Sequence, residues 1–210
     1  SRIPKSKLFL TGNPGRRDLL KGSPSEARKI FALNEDFPTI LVMGGSQGSA
    51  KINQTVLAAL PELTKYVQVI HLTGAKIKRQ KPPANENYHA YAFLGPELKH
   101  AYAVADLVIG RAGMSTIPEL SLLGKPAILI PLPDSSQLDN AEILSFLKSI
   151  VAVEEKFLEP MLLVDLVRKI LWDCKMQETL KRNIQKVMPR DADEKIAKLL
   201  IKFATGQRTT

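Results

Sequence analysis

The sequence has one cysteine, three histidines and no long apolar run, and each of these shortages excludes a class of protein. Because Cys174 is the only cysteine, no internal disulfide can form, and we expect a reducing, cytosolic environment. His71, His89 and His100 are scattered without acidic or cysteine partners at ligand spacing, so we expect no metal site. No apolar run approaches the roughly 20 residues that span a bilayer, and no signal-peptide pattern is recognisable.

Acidic side chains are fewer than basic ones. The sequence has 21 Asp and Glu and 30 Lys and Arg, so the net charge is +9. A basic chain attracts nucleic acid, an anionic membrane surface or small anionic ligands. The basic residues are spread out rather than clustered with aromatic residues, which make up 6% of the chain, so we expect no nucleic-acid partner. Most of these charges are expected on solvated faces, and attraction to an anionic membrane surface is a second, weaker interpretation.

Between Thr39 and Val153, short apolar runs alternate with segments of helical periodicity. The runs predict buried strands at Thr39–Met43, Val67–Leu72, Tyr88–Phe93, Leu107–Ile109, Ala127–Ile130 and Ile150–Val153. Helices are predicted at Ser25–Phe31, Ala50–Leu60, Glu97–Ala103, Ser115–Leu123, Gln137–Lys148, Pro160–Trp172, Gln177–Lys186 and Asp191–Ala204. Three further predictions are a short strand at Leu8–Leu10, a short helix and loop within Lys76–Asn87, and a disordered tail after Thr205. The alternation predicts an α/β fold in which helices cover both faces of one parallel sheet.

The stretch from Gly110 to Pro131 has the most informative pattern. A turn of small residues follows a predicted strand, and Ser115 or Thr116 is suited to begin a helix. A helix that begins at the carboxyl edge of a parallel sheet presents free N–H groups and favours an anion. Glu119, one turn into this helix, has two interpretations. It accepts hydrogen bonds from two ribose hydroxyls, or it completes a capping box with Thr116.

A second informative segment is the glycine-rich Gly44–Ser49, which lies between a predicted strand and a predicted helix. Its glycines would let the backbone approach a phosphate, and Ser46 adds a hydroxyl donor. The segment matches neither G-x-G-x-x-G nor the Walker pattern, so a dinucleotide or ATP site is poorly supported. A tight turn without any ligand explains the same glycines. Since this segment, Leu94–Pro96, Gly110–Thr116 and Asp134–Asn140 all follow strands, we expect them to meet at the carboxyl edge of the sheet, where ligands bind.

Five segments, in this order, resemble one known family: GNPGR at Gly12–Arg16, GGSQGS at Gly44–Ser49, ADLVIGRAGMSTIPEL at Ala105–Leu120, GKPAILIPLP at Gly124–Pro133 and SQLDNA at Ser136–Ala141. They resemble the C-terminal half of the MurG family, the bacterial N-acetylglucosaminyltransferases that make lipid II. The resemblance covers nearly the whole chain. It implies a Rossmann-like doubly wound parallel sheet, the C-terminal domain of a two-domain GT-B glycosyltransferase, which binds UDP-GlcNAc.

By matching position, the resemblance implies a substrate-binding site, whose residues are Arg16, Ser46, Gln47, Gly48, Leu94, Met114, Ser115, Thr116, Glu119, Gln137 and Asn140. Arg16 and Ser46 would face the diphosphate and the sugar. The start of the helix at Met114, Ser115 and Thr116 would lie beside the diphosphate. Neither a metal nor another cofactor is implied, because the leaving UDP would be stabilised by the helix dipole and the amides of the loops.

The other end of the implied site would recognise the base, the ribose and the sugar. Leu94 would lie at the uracil, where its backbone reads the base, and Glu119 would hold the ribose hydroxyls. Gln137 and Asn140 would face the hydroxyls of GlcNAc. Each of these roles is implied by the resemblance, residue by residue.

The resemblance also implies a domain organisation. Residues 1–20 would be a lead-in and inter-domain segment, residues 21–190 the UDP-sugar-binding domain, and residues 191–205 a helix that packs on an N-terminal domain absent from this chain. That absent half would supply the catalytic base, the site for a lipid-linked acceptor and the contact with the inner face of the plasma membrane, so the chain alone is expected to be inactive. Two departures from the family are Gly15, where Val is usual, and Ser136, where many members have His. A subunit of another split UDP-sugar transferase and a non-catalytic nucleotide-sugar-binding module remain as alternatives.

Overall fold

The computed structural model of the chain describes residue 4 and residues 8–45, 48–74 and 85–205. Within them, six strands form one sheet: β1 (Thr39–Met43), β2 (Gln68–Leu72), β3 (Tyr88–Tyr91), β4 (Leu107–Gly110), β5 (Ala127–Leu129) and β6 (Val151–Ala152). The strand order is β3-β2-β1-β4-β5-β6, and all neighbouring strands are parallel. The prediction of an α/β fold with one parallel sheet is confirmed.

The helices of the described residues are α1 (Pro24–Phe31), α2 (Ala50–Leu63), α3 (Leu98–Val104), α4 (Thr116–Leu123), α5 (Gln137–Phe146), α6 (Pro160–Trp172), α7 (Cys174–Ile184) and α8 (Ala192–Ala204). Two short 3-10 helices, at Arg17–Lys21 and Glu155–Phe157, have no counterpart in the sequence predictions. Helices cover both faces of the sheet, because buried residues of α1, α3, α4 and α5 form one apolar cluster and those of α2 and α6 form another. The sheet is therefore doubly wound.

Each central strand is buried on both of its faces. In β1, Leu41 belongs to the cluster that contains α3 and α4, whereas Ile40 and Val42 belong to the cluster that contains α2 and α6. Successive side chains of a strand point to opposite faces, so a strand covered on both sides needs apolar residues at every position. This explains why the central strands can be recognised in the sequence as uninterrupted apolar runs.

The order of the strands changes direction between β1 and β4. The chain passes from β1 to β2 on one side, and β4 then pairs with the other side of β1. Met43 at the end of β1 is level with Gly110 at the end of β4, so the loops that follow both strands begin side by side. Doubly wound sheets bind ligands at this switch point. Two of the loops predicted to meet at the carboxyl edge therefore do so.

The ends of several elements differ from the predictions. Helix α2 continues through Pro61, and the burial of Leu60 and Leu63 offsets the hydrogen bond that a proline cannot donate. Helix α7 begins at Cys174 rather than Gln177, because the Asp173 side chain accepts a hydrogen bond from the Met176 amide and caps the helix there.

The predicted strand at Leu8–Leu10 is wrong. Leu10 is 97% exposed, and this segment is not part of the sheet. Instead Phe9 makes an edge-to-face contact with Phe203 of α8. Residues 46 and 47, most of the Lys76–Asn87 segment and the tail after Thr205 lie outside the described residues, so the predictions made for them are not tested.

A buried polar network connects α2, β2 and β3. His71 Nε2 lies 3.0 Å from Asn53 Oδ1, and His71 Nδ1 lies 2.9 Å from the Tyr88 hydroxyl. The Asn53 side-chain nitrogen donates to the Thr73 carbonyl, so the Asn53 side-chain oxygen accepts a hydrogen bond from His71 Nε2–H. His71 Nδ1 then carries no proton and accepts from the Tyr88 hydroxyl. His71 is thus a neutral structural residue, and burial lowers its pKa to about 4.

We expect this histidine to make stability depend on pH. The unfolded state takes up the proton near pH 6.5 but the folded state only near pH 4, so unfolding becomes more favourable as pH falls through this window. Between pH 7 and pH 5 the loss should be about 2 kcal/mol of the free energy of unfolding. Urea denaturation of the wild type and of His71→Gln, measured at both pH values, isolates this contribution. Parallel pH profiles for the two proteins would contradict the assignment.

Candidate functional site

The glycine-rich loop after β1 forms a tight turn into α2. Gly45 and Gly48 have φ values of +88° and +78°, a conformation that favours glycine, and the Gly48 N–H donates to the Gly45 carbonyl at 3.0 Å. A Cβ at Gly44 would overlap the backbone nitrogen of Ser49. The Ser49 hydroxyl caps α2 by accepting from the Ile52 amide at 3.3 Å. The strand-to-helix turn is therefore present, and Ser46 and Gln47 lie outside the described residues.

Helix α4 begins at the carboxyl edge with Ser115 as its N-cap, and the Ser115 side chain makes no capping hydrogen bond. The amides of Thr116 and Ile117 both donate to the Gly113 carbonyl, at 3.0 and 3.1 Å. Within the described residues, the N–H groups of Met114 and Ser115 donate to no protein acceptor. An uncapped helix start with free amides has the partial positive charge that attracts an anion.

The capping-box interpretation of Glu119 is wrong. Thr116 is the first residue of the helix rather than its N-cap, and the Glu119 carboxylate binds two other side chains. Arg16 Nε donates to Oε1 at 2.7 Å, and the Tyr102 hydroxyl donates to Oε2 at 2.7 Å. The Glu119 side chain is 12% exposed, so the carboxylate lies just beneath the surface at the edge of the sheet. Its role toward a ribose stays a prediction.

Burial and the charge of this carboxylate together set the protonation states of the two donors. Burial lowers the pKa of Arg16, but the hydrogen bond and negative charge of Glu119 outweigh burial, so its pKa is raised. Burial raises the pKa of Tyr102 well above its ordinary value, and the charge of Glu119 raises it further. The hydroxyl of Tyr102 therefore keeps its proton and remains a hydrogen-bond donor.

The segment before the first 3-10 helix runs along α4 and carries Arg16 to Glu119. The Asn13 amide nitrogen donates to the Met114 carbonyl at 2.8 Å. A Cβ at Gly15 would lie 3.0 Å from the Pro118 carbonyl oxygen, so glycine permits this close approach. A valine there would require the segment to shift, which gives a physical reason for the departure noted in the sequence.

The adjacent arginine connects the same segment to α8. Arg17 forms ion pairs with Asp193 and Glu194 in the first turn of that helix and donates to the Arg190 carbonyl. Along the rest of α8 several apolar side chains are exposed, namely Leu200, Ile201 and Phe203. Packing of residues 191–205 on a further domain stays a prediction.

Gln137 and Asn140, at the start of α5, each use one end of the side-chain amide to hold a neighbouring loop. The Gln137 carbonyl oxygen accepts from the Leu132 amide at 3.1 Å, and the Asn140 amide nitrogen donates to the Ala112 carbonyl at 3.0 Å. Within the described residues, Gln137 Nε2 and Asn140 Oδ1 make no hydrogen bond. One free donor and one free acceptor therefore lie beside the loop that leads to α4.

The side chain of Leu94 lies in the core rather than at the surface of the edge. The side chain is buried in the cluster that contains α3 and α4, whereas the preceding Phe93 is exposed. The Gly95 amide donates to the Glu97 carboxylate at 3.1 Å, which holds the turn after β3. Contact of this turn with a base stays a prediction.

Arg111, which the sequence predictions passed over, connects four parts of the edge. It forms an ion pair with Glu155, donates to the Ser49 hydroxyl at 2.7 Å and donates to the carbonyls of Ile130 and Pro131 at 3.2 Å. Its side chain is only 12% exposed. The signal in the sequence is a charged residue directly after a buried strand. Arg111 fixes the capping residue of α2 relative to the loop after β5.

The described residues contain no group of three His, Cys, Asp or Glu side chains that could hold a metal ion. His100 Nδ1 accepts a hydrogen bond from the Ser23 amide at 3.1 Å, and His71 is held in the network already described. No helix in the described part of the chain has the length and apolar content needed to cross a membrane.

The strand order, with a glycine-rich turn and an uncapped helix start at the switch point, is that of a Rossmann-like α/β domain. The chain belongs to glycosyltransferase family 28, because residues 39–198 match the model of the C-terminal domain of that family. A similar relative is the UDP-N-acetylglucosamine--N-acetylmuramyl-(pentapeptide) pyrophosphoryl-undecaprenol N-acetylglucosamine transferase of Lachnoclostridium phytofermentans. It is 35% identical over 203 residues, which cover 94% of this chain and 56% of the relative.

Solved structures share the fold. MurG from Acinetobacter baumannii superposes with a TM-score of 0.67 at 23% identity, over 88% of this chain and 55% of that structure. The UDP-GlcNAc 2-epimerase from Neisseria meningitidis, bound to UDP-GlcNAc, gives a TM-score of 0.65 at 15% identity. The match covers 95% of this chain and 56% of the epimerase chain. The resemblance to the C-terminal half of the MurG family and the GT-B type of Rossmann-like fold are confirmed. The chain spans about half the length of these proteins.

We expect Arg111→Ala to lower the free energy of unfolding by about 3 kcal/mol, because Glu155 is left partly buried without its partner. Urea denaturation measures the change. The matched control is Arg17→Ala, which also removes an arginine paired with a carboxylate, but in an exposed position where ion pairs contribute little. A loss for Arg111→Ala no larger than the loss for Arg17→Ala would contradict this role.

Proposed function

We propose that this chain is the UDP-GlcNAc-binding domain of a MurG-like inverting N-acetylglucosaminyltransferase, which makes lipid II for peptidoglycan. The observation that carries the proposal is the Glu119 carboxylate, held beside the uncapped start of α4 at the switch point of the sheet. A carboxylate suits ribose hydroxyls, and a helix start suits a diphosphate. The family match and the activity for which the Lachnoclostridium relative is named support the same assignment.

In this proposal the diphosphate lies between the starts of α2 and α4. The free amides of Met114 and Ser115, with the dipole of α4, stabilise its negative charge. Gly48 at the start of α2 lets the backbone approach, and the half-exposed guanidinium of Arg16 lies within the same edge. These groups are already oriented before the leaving UDP gains charge, so they favour its departure without a metal.

The nucleoside and the sugar occupy the remainder of the edge. Each oxygen of a carboxylate accepts two hydrogen bonds, so Arg16 and Tyr102 leave Glu119 capacity for the two ribose hydroxyls. The backbone at Leu94 reads the uracil. The free donor of Gln137 and the free acceptor of Asn140 suit paired hydroxyls of GlcNAc.

The half of the relatives that this chain does not cover supplies the other functions in this proposal. It carries the catalytic base and the site for the lipid-linked acceptor, and it contacts the inner face of the plasma membrane from the cytoplasm. The net charge of +9 favours approach to an anionic membrane surface. The exposed apolar side chains of α8, in residues 191–205, suit packing on that half, with residues 1–20 as the connecting segment and residues 21–190 as the donor domain.

A second candidate is a nucleotide-sugar-binding module or a donor subunit of another split transferase. The observation that favours it is the neighbour from Neisseria meningitidis, an epimerase with the same fold that was solved with UDP-GlcNAc. Both candidates bind the same kind of ligand, and only the first transfers the sugar to a lipid-linked acceptor.

Calorimetric titration tests donor binding. We expect UDP-GlcNAc to bind more tightly than UDP-GalNAc, and NAD not to bind. Glu119→Gln should weaken UDP by about 1.5–3 kcal/mol, because the ribose loses a charged acceptor. The control Glu62→Gln changes an exposed glutamate paired with Lys65 and should leave affinity unchanged. Unchanged UDP affinity in Glu119→Gln would remove this residue from the site.

Transfer to a lipid-linked acceptor separates the two candidates. The isolated chain should show no transfer, because inverting transfer needs a base at the acceptor hydroxyl and an acceptor held against the anomeric carbon. Addition of the N-terminal half of the Lachnoclostridium relative should restore turnover. Transfer by this chain alone, above a Glu119→Ala control, would show that the division of functions is wrong.

A further inference from the structure

Tyr102 is a fully buried residue of α3 whose only side-chain polar atom points to the proposed site. Its side chain packs in the apolar cluster beneath α3 and α4, and its hydroxyl donates to Glu119 Oε2 at 2.7 Å. A phenylalanine would fill the same space without a polar atom to satisfy. The hydroxyl therefore serves the carboxylate rather than the packing.

The two donors that hold Glu119 differ in freedom. The Arg16 side chain is 52% exposed and ends in a fork of five N–H donors, so it can turn toward a bound diphosphate. Tyr102 is buried on every side and has no second acceptor among the described residues. Tyr102 is thus the fixed support of the carboxylate, and Arg16 is the adjustable one.

We infer that Tyr102 is a specificity-determining positioning residue, which fixes the plane of the Glu119 carboxylate so that the site selects ribonucleotides over 2′-deoxyribonucleotides. This inference rests on the proposed function, and it assigns to Tyr102 the selectivity of the nucleotide site. A carboxylate that accepts two neighbouring hydroxyls at once must keep one orientation, since rotation by a few tens of degrees breaks the second hydrogen bond. Tyr102 does not touch the nucleotide and acts only through Glu119.

The test compares UDP with 2′-deoxy-UDP by calorimetry. The wild type should bind UDP about 10-fold or more tightly than 2′-deoxy-UDP. The reason is that the missing 2′-hydroxyl leaves the charged acceptor Glu119 without one hydrogen bond. Tyr102→Phe should weaken UDP by about 10-fold and 2′-deoxy-UDP by less than about 2-fold, so that the preference largely disappears. Tyr102→Met also lacks the hydroxyl and fills the space with a flexible side chain, so it should change the two affinities in the same way. It serves as the test variant if Tyr102→Phe does not fold.

The matched control is Tyr88→Phe. It removes another buried tyrosine hydroxyl, the one that contacts His71, and should lower stability without changing the preference for UDP. In a Glu119→Gln background, Tyr102→Phe should cause no further loss of preference, because the two changes remove one interaction.

The outcomes separate this inference from the proposed function. A wild type that binds UDP, together with a Tyr102→Phe variant that keeps the full preference for UDP, would overturn only the role of Tyr102. Additive losses in the double variant would also overturn it. A wild type that does not bind UDP would overturn the proposed function and the inference with it.

Discussion

The arrangement of the carboxyl edge depends on one partly buried charge, the carboxylate of Glu119. It joins three separate segments, because Arg16 lies before the first strand, Tyr102 lies in α3 and Glu119 lies in α4. A carboxylate removed from water is costly unless strong donors replace the water, and two short charge-assisted hydrogen bonds do so here. The Glu119 carboxylate therefore holds both the segment before α1 and the start of α4 in place.

Most of the fold could be predicted from the sequence, because strands buried on both faces must be apolar at every position. The run from Thr39 to Met43 and the periodic segment after it left little choice of structure. The ends of elements were less predictable. Helix α2 continues past Pro61 because the packing of Leu63 outweighs the cost of a proline inside a helix. The segment Leu8–Leu10 pairs with no strand, although its composition suits one.

The site was predictable where it depends on local backbone. The turn at Gly45 and Gly48 and the start of α4 follow from neighbouring residues, and both were expected. The contacts of Glu119 and Arg111 were not, since their partners lie in other segments that only the folded sheet brings close. The capping-box interpretation was wrong because the helix begins at Thr116, one residue earlier than that motif requires.

Arg16 and Arg17 are neighbours in the chain, yet one binds Glu119 at the sheet edge and the other binds the first turn of α8. A single peptide unit thus separates a residue that contacts the site from a residue that contacts the last helix. Loss of α8 would free Arg17, the residue next to Arg16, while Arg16 would keep its contact with Glu119. A deletion in α8 is therefore only one residue removed from a contact of Glu119, although the two lie far apart in the sequence.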